Sequence, residues 1–243
     1  MAQKIDINQQ MPQIPSGDIQ LNNEKKPLRC RILIVCEGTK TEPLYFKSFN
    51  TIKTSNSWVV EIETGGGGIN TIQVVDKAIE LKEEAEKQDN PYDSVWAVFD
   101  KDSFPPRNFN AAISKAENNG IGCAWSNEAF ELWYVYYFDD CCTAISRSEY
   151  SKIITRRVRE TGYKNGKKEY AYSKKDPDMR SILLKCGCDE KKAIRRAESQ
   201  ANTFQDQKFH LHNPCTMVYK LVKQLVGEDK DLVKLIKRKL AEK

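Results

Sequence analysis

Residues 32–37 read Ile-Leu-Ile-Val-Cys-Glu, an apolar run that ends in a carboxylate. Residues 94–100 repeat this arrangement as Ser-Val-Trp-Ala-Val-Phe-Asp, and Asp102 follows after one intervening lysine. Short apolar runs that lack polar alternation indicate strands of a parallel sheet that is buried on both faces. Because ligands of open α/β sheets bind beyond the carboxyl ends of the strands, we expect Glu37, Asp100 and Asp102 to lie close together.

Three carboxylates at one sheet edge indicate a magnesium site. Without a partner they would repel one another and raise each other's pKa. A divalent cation removes that cost, and Mg²⁺ prefers an all-oxygen ligand set of this kind, with Mn²⁺ able to substitute. We therefore predict Glu37, Asp100 and Asp102 as metal ligands. The alternative role for Glu37 is that of a general base toward an attacking water.

The rest of the pattern predicts an α/β fold. Strand-like runs alternate with helical segments up to about residue 138, which favours a mostly parallel, Rossmann-like sheet flanked by helices. From residue 147 onward the pattern is helical and basic. The predicted strands span 31–36, 58–63, 94–100 and 121–125. The predicted helices span 42–50, a segment ending near 88, 108–118, 128–138, 148–160, 177–185, 189–205, 214–226 and 230–241.

The chain divides into three predicted regions. Residues 1–28 are polar and rich in Gln and Asn, which predicts a flexible arm. Residues 29–140 are predicted to form the metal-binding α/β core. Residues 141–243 are predicted to form a basic, mainly helical portion that completes the same unit. The glycine run 65–68 lacks the Lys-Ser/Thr of a phosphate-binding loop, so we interpret it as a flexible turn.

Composition restricts the cellular setting. No apolar stretch has the length of a membrane span, and the N-terminus lacks the residue order of a signal peptide, so we predict a cytoplasmic protein without a membrane partner. The eight cysteines show no paired C-x-x-C spacing and are interpreted as free thiols. His210 and His212 have no third ligand in view, and we predict capping or surface roles for them.

The charge is divided unevenly along the chain. Residues 1–150 carry 15 Lys and Arg against 22 Asp and Glu, whereas residues 151–243 carry 24 against 12. Such asymmetry indicates a nucleic-acid partner, although a lysine-rich helical surface is the alternative. Between residues 147 and 175, ten Lys or Arg are interleaved with four tyrosines around a predicted mobile loop at 162–168. The predicted nucleic-acid contacts are Arg156, Arg157, Arg159, Lys167, Lys168, Lys174, Lys175 and Asn213.

Five separated motifs resemble those of the RloB family and occur in the family's order. They are the run 32–38 with Thr41-Glu42-Pro43 and Tyr45-Phe46, then Asp100-Lys101-Asp102, then Ser126-Asn127 with the run 130–133, then Tyr172-Ser173-Lys174, and finally Asn213-Pro214 with Thr216. The resemblance runs from about residue 29 to 226. Glu128 stands where the family pattern has proline, and residues 136–138 stand where a histidine is common. These departures leave the three metal-binding carboxylates unaffected.

The resemblance implies a Toprim-like fold for the N-terminal half. In the Toprim domains of topoisomerases, primases and OLD-type nucleases, a glutamate after the first strand and a D-x-D after a later strand organise Mg²⁺. The resemblance also implies a role in restriction or abortive infection, hence antiviral defence, with a defence-system partner or a phage trigger. A homo-oligomer is compatible with this pattern.

Two further residues complete the predicted catalytic set. Glu131, four residues after Asn127 on a predicted helix, is expected either to hold a second metal or to be satisfied by Asn127 or a nearby basic group. Lys174 is expected to neutralise the scissile phosphate, and its alternative is a solvated lysine in a basic loop. Glu128 is interpreted as a first-turn glutamate that complements the helix dipole.

The leading hypothesis is Mg²⁺-dependent hydrolysis of phosphodiester bonds in DNA or in RNA such as tRNA. The alternative from another class is a non-catalytic nucleic-acid-binding or sensor subunit of a defence system. A HAD-like phosphatase ranks lower, because its D-x-D usually opens the domain, whereas two strand–helix units precede Asp100 here. A topoisomerase or primase ranks third, since strand passage needs a second large domain with a nucleophilic tyrosine.

Overall fold

The computed structural model describes residues 28–51, 58–65, 71–101 and 104–241. The predicted arm, apart from its last residue, lies outside the described residues. The same is true of Asp102 and of residues 66–68 in the glycine run.

A parallel sheet forms the centre of the N-terminal half. Its strands are β1 (Leu28–Cys36), β2 (Trp58–Gly65), β3 (Ser94–Val98) and β4 (Gly122–Cys123), in the spatial order β2-β1-β3-β4. β1 pairs in parallel with both β2 and β3, and Cys36 lies opposite Val98. The carboxyl ends of β1 and β3 therefore meet at one edge of the sheet. The mixed α/β fold with a parallel sheet flanked by helices confirms the predicted fold class.

Nine α-helices lie within the described residues, five of them in the basic C-terminal portion. They are α1 (Thr41–Lys47), α2 (Thr71–Lys87), α3 (Pro106–Asn118), α4 (Glu131–Phe138), α5 (Arg147–Glu160), α6 (Met179–Lys185), α7 (Glu190–Ala201), α8 (Val218–Leu225) and α9 (Lys230–Ala241). None of these described helices combines the length and the apolar character that crossing a membrane would require.

The two faces of the sheet bury two hydrophobic clusters. Successive side chains of a strand point to opposite faces, so Ile32 and Ile34 of β1 belong to one cluster and Leu33 and Val35 to the other. The second cluster contains the apolar faces of α2 and α3. The first contains α4 together with C-terminal residues such as Leu221, so the C-terminal helices pack into the same core as the sheet.

Short strands account for several differences from the predicted elements. They are β5 (Ser126–Asn127), β6 (Lys164–Asn165), β7 (Lys168–Glu169) and β8 (Cys215–Thr216). β5 and β8 pair in antiparallel fashion, so the helix predicted over 214–226 begins only at Val218. β6 and β7 form a hairpin within the predicted mobile loop 162–168, where Gly166 adopts a φ of 64° that suits glycine. The strand predicted over 94–100 ends at Val98, and Asp100 bridges to Ser126 instead.

Candidate active site

A cleft of about 190 Å³ lies beyond the carboxyl ends of β1 and β3. Glu37 follows β1, and its backbone N–H donates to the carbonyl of Val98 over 2.9 Å. Its Oε2 accepts a hydrogen bond of 3.2 Å from the backbone N–H of Asp100. The Asp100 side chain is buried at the cleft. The structure thus brings Glu37 and Asp100 together, whereas Asp102 lies outside the described residues and its placement stays a prediction.

Two more carboxylates line the same cleft. Glu131 is the first residue of α4 and is almost completely buried. Glu42 lies in the first turn of α1 and is also buried, although it is not among the predicted site residues. A signal for it existed in the sequence, because a helix that starts just after Glu37 returns its first turn to the same sheet edge. Gly38 makes room for it, since an added Cβ there would lie 2.8 Å from Glu42 Cδ.

Burial and like charges raise the pKa of two of these carboxyls. Burial raises the pKa of Asp100 well above its usual value, the charges of Glu42 and Glu131 raise it further, and Glu37 adds to the effect. Burial also raises the pKa of Glu42, against a backbone hydrogen bond that lowers it, and the Glu131 charge contributes to the rise. The cluster therefore carries an electrostatic cost that a bound cation would reduce.

Two basic side chains reduce part of that cost. Arg147, the first residue of α5, places Nη2 3.8 Å from Asp100 Oδ2 and lowers the pKa of that carboxyl. Lys174 places Nζ 3.2 Å from Glu131 Oε1, and its side chain is half exposed. The Tyr172 hydroxyl donates to the same Glu131 oxygen over 3.1 Å. The segment that carries Tyr172 and Lys174 is also held by Thr41, whose hydroxyl donates to the Lys174 carbonyl over 3.4 Å.

The contacts of Glu131 and Glu128 test the roles that were predicted for these two residues. Glu131 is satisfied by a basic group, Lys174, and not by Asn127, whose side-chain amide donates to the carbonyls of His210 and His212 at 3.2 and 3.0 Å. Glu128 precedes α4, which begins three residues later, so it does not occupy the first turn of that helix. Its Oε2 instead accepts the backbone N–H of Arg147 over 3.1 Å and anchors the start of α5.

The predicted nucleic-acid contacts are dispersed, and of that set only Lys174 lines the cleft. Arg157 is held by Asp139 at 2.7 Å and by Glu160 at 2.5 Å. Arg156 and Arg159 are more exposed and pair with Glu160 and Glu169 at 3.7 and 3.4 Å. Lys167, Lys168 and Lys175 are exposed. Asn213 is partly buried, and its Oδ1 finds no hydrogen-bond partner within the described chain.

The rings of His210 and His212 contact polar and aromatic neighbours. The His212 ring stacks on Phe204 with centroids 4.4 Å apart, and its Nε2 lies 2.9 Å from Asp206 Oδ1. His210 places Nδ1 3.3 Å from Asn110 Oδ1. Both rings therefore have local polar partners, and the surface role predicted for His212 is wrong because its side chain is buried.

The donor chemistry of the cleft fits Mg²⁺. Glu37, Glu42, Asp100 and Glu131 offer only oxygen ligands, and the pKa of Asp100 is raised first by burial and then by the neighbouring carboxylates, whose charge a hard cation would neutralise. Among residues 28–51, 58–65, 71–101 and 104–241, no three Asp, Glu, His or Cys side chains already stand in a metal-binding arrangement.

Comparison with known proteins gives one match. A family model described as RloB-like protein matches residues 32–225, which run from β1 to the end of α8. Searches of curated protein sequences and of solved structures both give no significant match.

Proposed function

The chain belongs to the RloB-like protein family, and we propose that it is a metal-dependent nuclease that hydrolyses phosphodiester bonds. The observation that carries this proposal is the cluster of Glu42, Asp100 and Glu131 in one cleft, with Arg147 and Lys174 at its mouth. Carboxylates for a divalent cation beside basic groups for a phosphate are the parts that phosphodiester hydrolysis needs. A role in anti-phage defence is part of the proposal and rests on the resemblance of the sequence motifs.

In this proposal the carboxylates hold the metal ion, and the basic side chains bind the phosphate. Glu37, Glu42 and Asp100, with Asp102, would hold Mg²⁺, which supplies Lewis-acid activation of a water and of the phosphate. Glu37 Oε2 accepts the backbone N–H of Asp100 and so holds the Glu37 carboxylate beside the end of the acidic strand. Arg147 and Lys174 are the cations that would neutralise the charge on the phosphate oxygens.

One observation favours a second candidate, a nucleic-acid-binding or sensor subunit without catalysis. Arg147 and Lys174 already pair with Asp100 and Glu131 over 3.8 and 3.2 Å. A carboxylate cluster that is neutralised by its own basic residues can serve a purely structural purpose. The two candidates differ in whether the protein cuts nucleic acid when a divalent cation is supplied.

The test combines a thermal measurement with a cleavage assay. We expect Mg²⁺ to raise the melting temperature of the wild type, because a ligand that binds only the folded state stabilises it. Asp100→Asn should lose this rise, whereas Asp76→Asn, which changes an exposed acid of α2 that pairs with Lys115, should keep it. Plasmid DNA, single-stranded DNA and total tRNA are then incubated with Mg²⁺, Mn²⁺ or EDTA.

The nuclease proposal requires cutting that depends on metal and disappears in Asp100→Asn. Undiminished cutting by Asp100→Asn would contradict the assigned site. Binding of nucleic acid with neither cutting nor a thermal response to Mg²⁺ or Mn²⁺ would favour the non-catalytic candidate instead.

A further inference from the structure

A second groove lies between α1 and α6, at the far end of α1 from the carboxylate cleft. Its volume is about 740 Å³, within the range of about 300–1,000 Å³ that ligand pockets occupy. Leu44 and Lys47 of α1 line one wall, and Leu184 and Lys185 of α6 line the other. The groove contains none of the residues that line the carboxylate cleft.

Both walls of the groove continue into the carboxylate cleft. On one side α1 begins with Thr41 in the cleft and ends with Lys47 in the groove. At 1.5 Å of rise per residue, these two positions are about 9 Å apart along the helix axis. On the other side Lys174 lines the cleft and Pro177, three residues later, lines the groove. The groove therefore lies about 9 Å from the cleft along α1, a short step for an extended ligand.

The groove offers two exposed cations. Lys47 and Lys185 are exposed, and within the part of the chain that the structure describes neither has an ion-pair partner. Arg180 is different, because Glu190 holds it through two hydrogen bonds of 2.6 and 2.7 Å and its guanidinium lies 3.9 Å from the Phe49 ring centre. Arg180 therefore shapes the groove while Lys47 and Lys185 remain available for an anion. Asp178 is the one acidic residue that lines this groove.

Apolar surface accompanies the two lysines. Leu184 is 41 % exposed, and Leu44 and Pro177 line the same groove. Alternating phosphates and bases present anionic and apolar groups at short intervals, which matches this mixture of ammonium groups and apolar side chains. The groove thus fits a nucleic-acid strand better than a purely anionic small molecule.

We propose that this groove is a binding subsite for the nucleic-acid strand that passes through the carboxylate cleft. The inference rests on the proposed function and extends it to a second site. Lys47 and Lys185 contact backbone phosphates, and Leu184 contacts a base. A separation of about 9 Å along α1 corresponds to about two to three nucleotides at the 3.4 Å spacing of one DNA strand. Helices in contact have axes about 8–10 Å apart, so the groove admits a single strand rather than a duplex.

The test measures binding without metal, so that it does not depend on cleavage. Fluorescence anisotropy in EDTA follows labelled single-stranded DNA and RNA oligonucleotides over a series of salt concentrations. Lys47→Gln/Lys185→Gln is compared with the control Lys220→Gln/Lys237→Gln, which removes the same charge from exposed positions on α8 and α9. Loss of two phosphate contacts should reduce the slope of log K against log salt by about 1.4 for a single strand. The control should keep the wild-type slope.

The subsite proposal is overturned if Lys47→Gln/Lys185→Gln keeps the wild-type salt slope. It is also overturned if the control variant lowers the salt slope by the same amount. Leu184→Ala is the second variant, and it should weaken binding while keeping the salt slope. Cleavage with Mg²⁺ is scored separately. If the wild type cuts nothing while the slope falls as expected, the nuclease proposal fails and the subsite stands. If the wild type cuts and the slope is unchanged, the subsite fails alone, and a wild type that binds no nucleic acid overturns both.

Discussion

The hydroxyl of Tyr172 donates a hydrogen bond of 3.1 Å to Oε1 of Glu131 at the bottom of the carboxylate cleft. The same oxygen lies 3.2 Å from the ammonium group of Lys174. Glu131 is therefore oriented by two residues of one segment, and that segment lies outside the parallel sheet.

Removing the tyrosine hydroxyl should impair catalysis while preserving the fold. A hydrogen bond to a charged group contributes about 1.5–3 kcal/mol, so we expect Tyr172→Phe to lower kcat by about tenfold or more. KM should change little, and the melting temperature should fall by no more than several degrees, because Tyr172→Phe keeps the ring and loses only this hydrogen bond. Tyr163→Phe is the control, because Tyr163 contacts Tyr170 through its ring. An equal loss in both variants would contradict a positioning role for Tyr172.

Lys174 and Lys175 form a natural pair for testing the phosphate-binding role. Both are exposed lysines, but of the two only Lys174 lines the cleft. We expect Lys174→Ala to reduce cleavage by about 100-fold, as the loss of one group that stabilises transition-state charge does elsewhere. Lys175→Ala should cut like the wild type. Cleavage rates at saturating substrate measure the difference. Similar rates for the two variants would indicate that Lys174 is a solvated lysine that does not bind the phosphate.

A side chain at Gly38 should displace the Glu42 carboxylate. An added Cβ would lie 2.8 Å from Glu42 Cδ, so Gly38→Ala must move that carboxylate, which is the flexible end of its side chain. We therefore expect a stability loss of at most about 1 kcal/mol and, as the main effect, a smaller rise in melting temperature on adding Mg²⁺. In the Glu42→Ala background the same substitution should cost little, and a double-mutant cycle measures the coupling between the two sites. Additive effects would show that Gly38 is required for another reason.

The raised pKa values of Asp100 and Glu42 predict how stability depends on pH in the absence of metal. The folded state then holds protons that the unfolded state has already released, so unfolding free energy falls as pH increases from about 4, the usual carboxyl range, through the raised values. Asp100→Asn removes one titrating group and should give a more stable protein at neutral pH with a shallower slope. Denaturant unfolding in EDTA at several pH values measures the unfolding free energy and its slope against pH. A wild-type slope retained in Asp100→Asn would contradict the assignment.

The sequence predicts the acidic edge of the cleft better than its basic side. Glu37 and Asp100 each end an apolar run, and in parallel strands such ends meet, so local pattern suffices. Arg147 reaches Asp100 only because α5 packs against α4, and no local pattern encodes that packing. The suggested contact between Asn127 and Glu131 fails for a related reason. Their spacing suggests a contact within one helix, whereas Asn127 lies in β5 and its amide donates to the carbonyls of His210 and His212.

Element boundaries shifted where a short segment paired with a distant one. The helix predicted from residue 214 starts at Val218, because Cys215 and Thr216 pair with Asn127 and Ser126. The turn chemistry at Gly166 similarly converts a predicted loop into a hairpin. The β5–β8 pairing joins residues far apart in the chain, and single-sequence periodicity carries no information about it, whereas the hairpin around Gly166 is local.

The pairing of β5 with β8 also orders the assembly of the cleft during synthesis. Asp100 bridges to Ser126, whose hydroxyl meets the Thr216 hydroxyl over 2.8 Å in a buried contact. The acidic strand ends leave the ribosome first, Arg147 and Lys174 follow, and the segment that braces Ser126 comes last. In a nascent chain the carboxylates are therefore exposed before the basic residues that would bind a phosphate have been synthesised. A chain that stalls before residue 216 lacks the strand that pairs with Ser126 and Asn127.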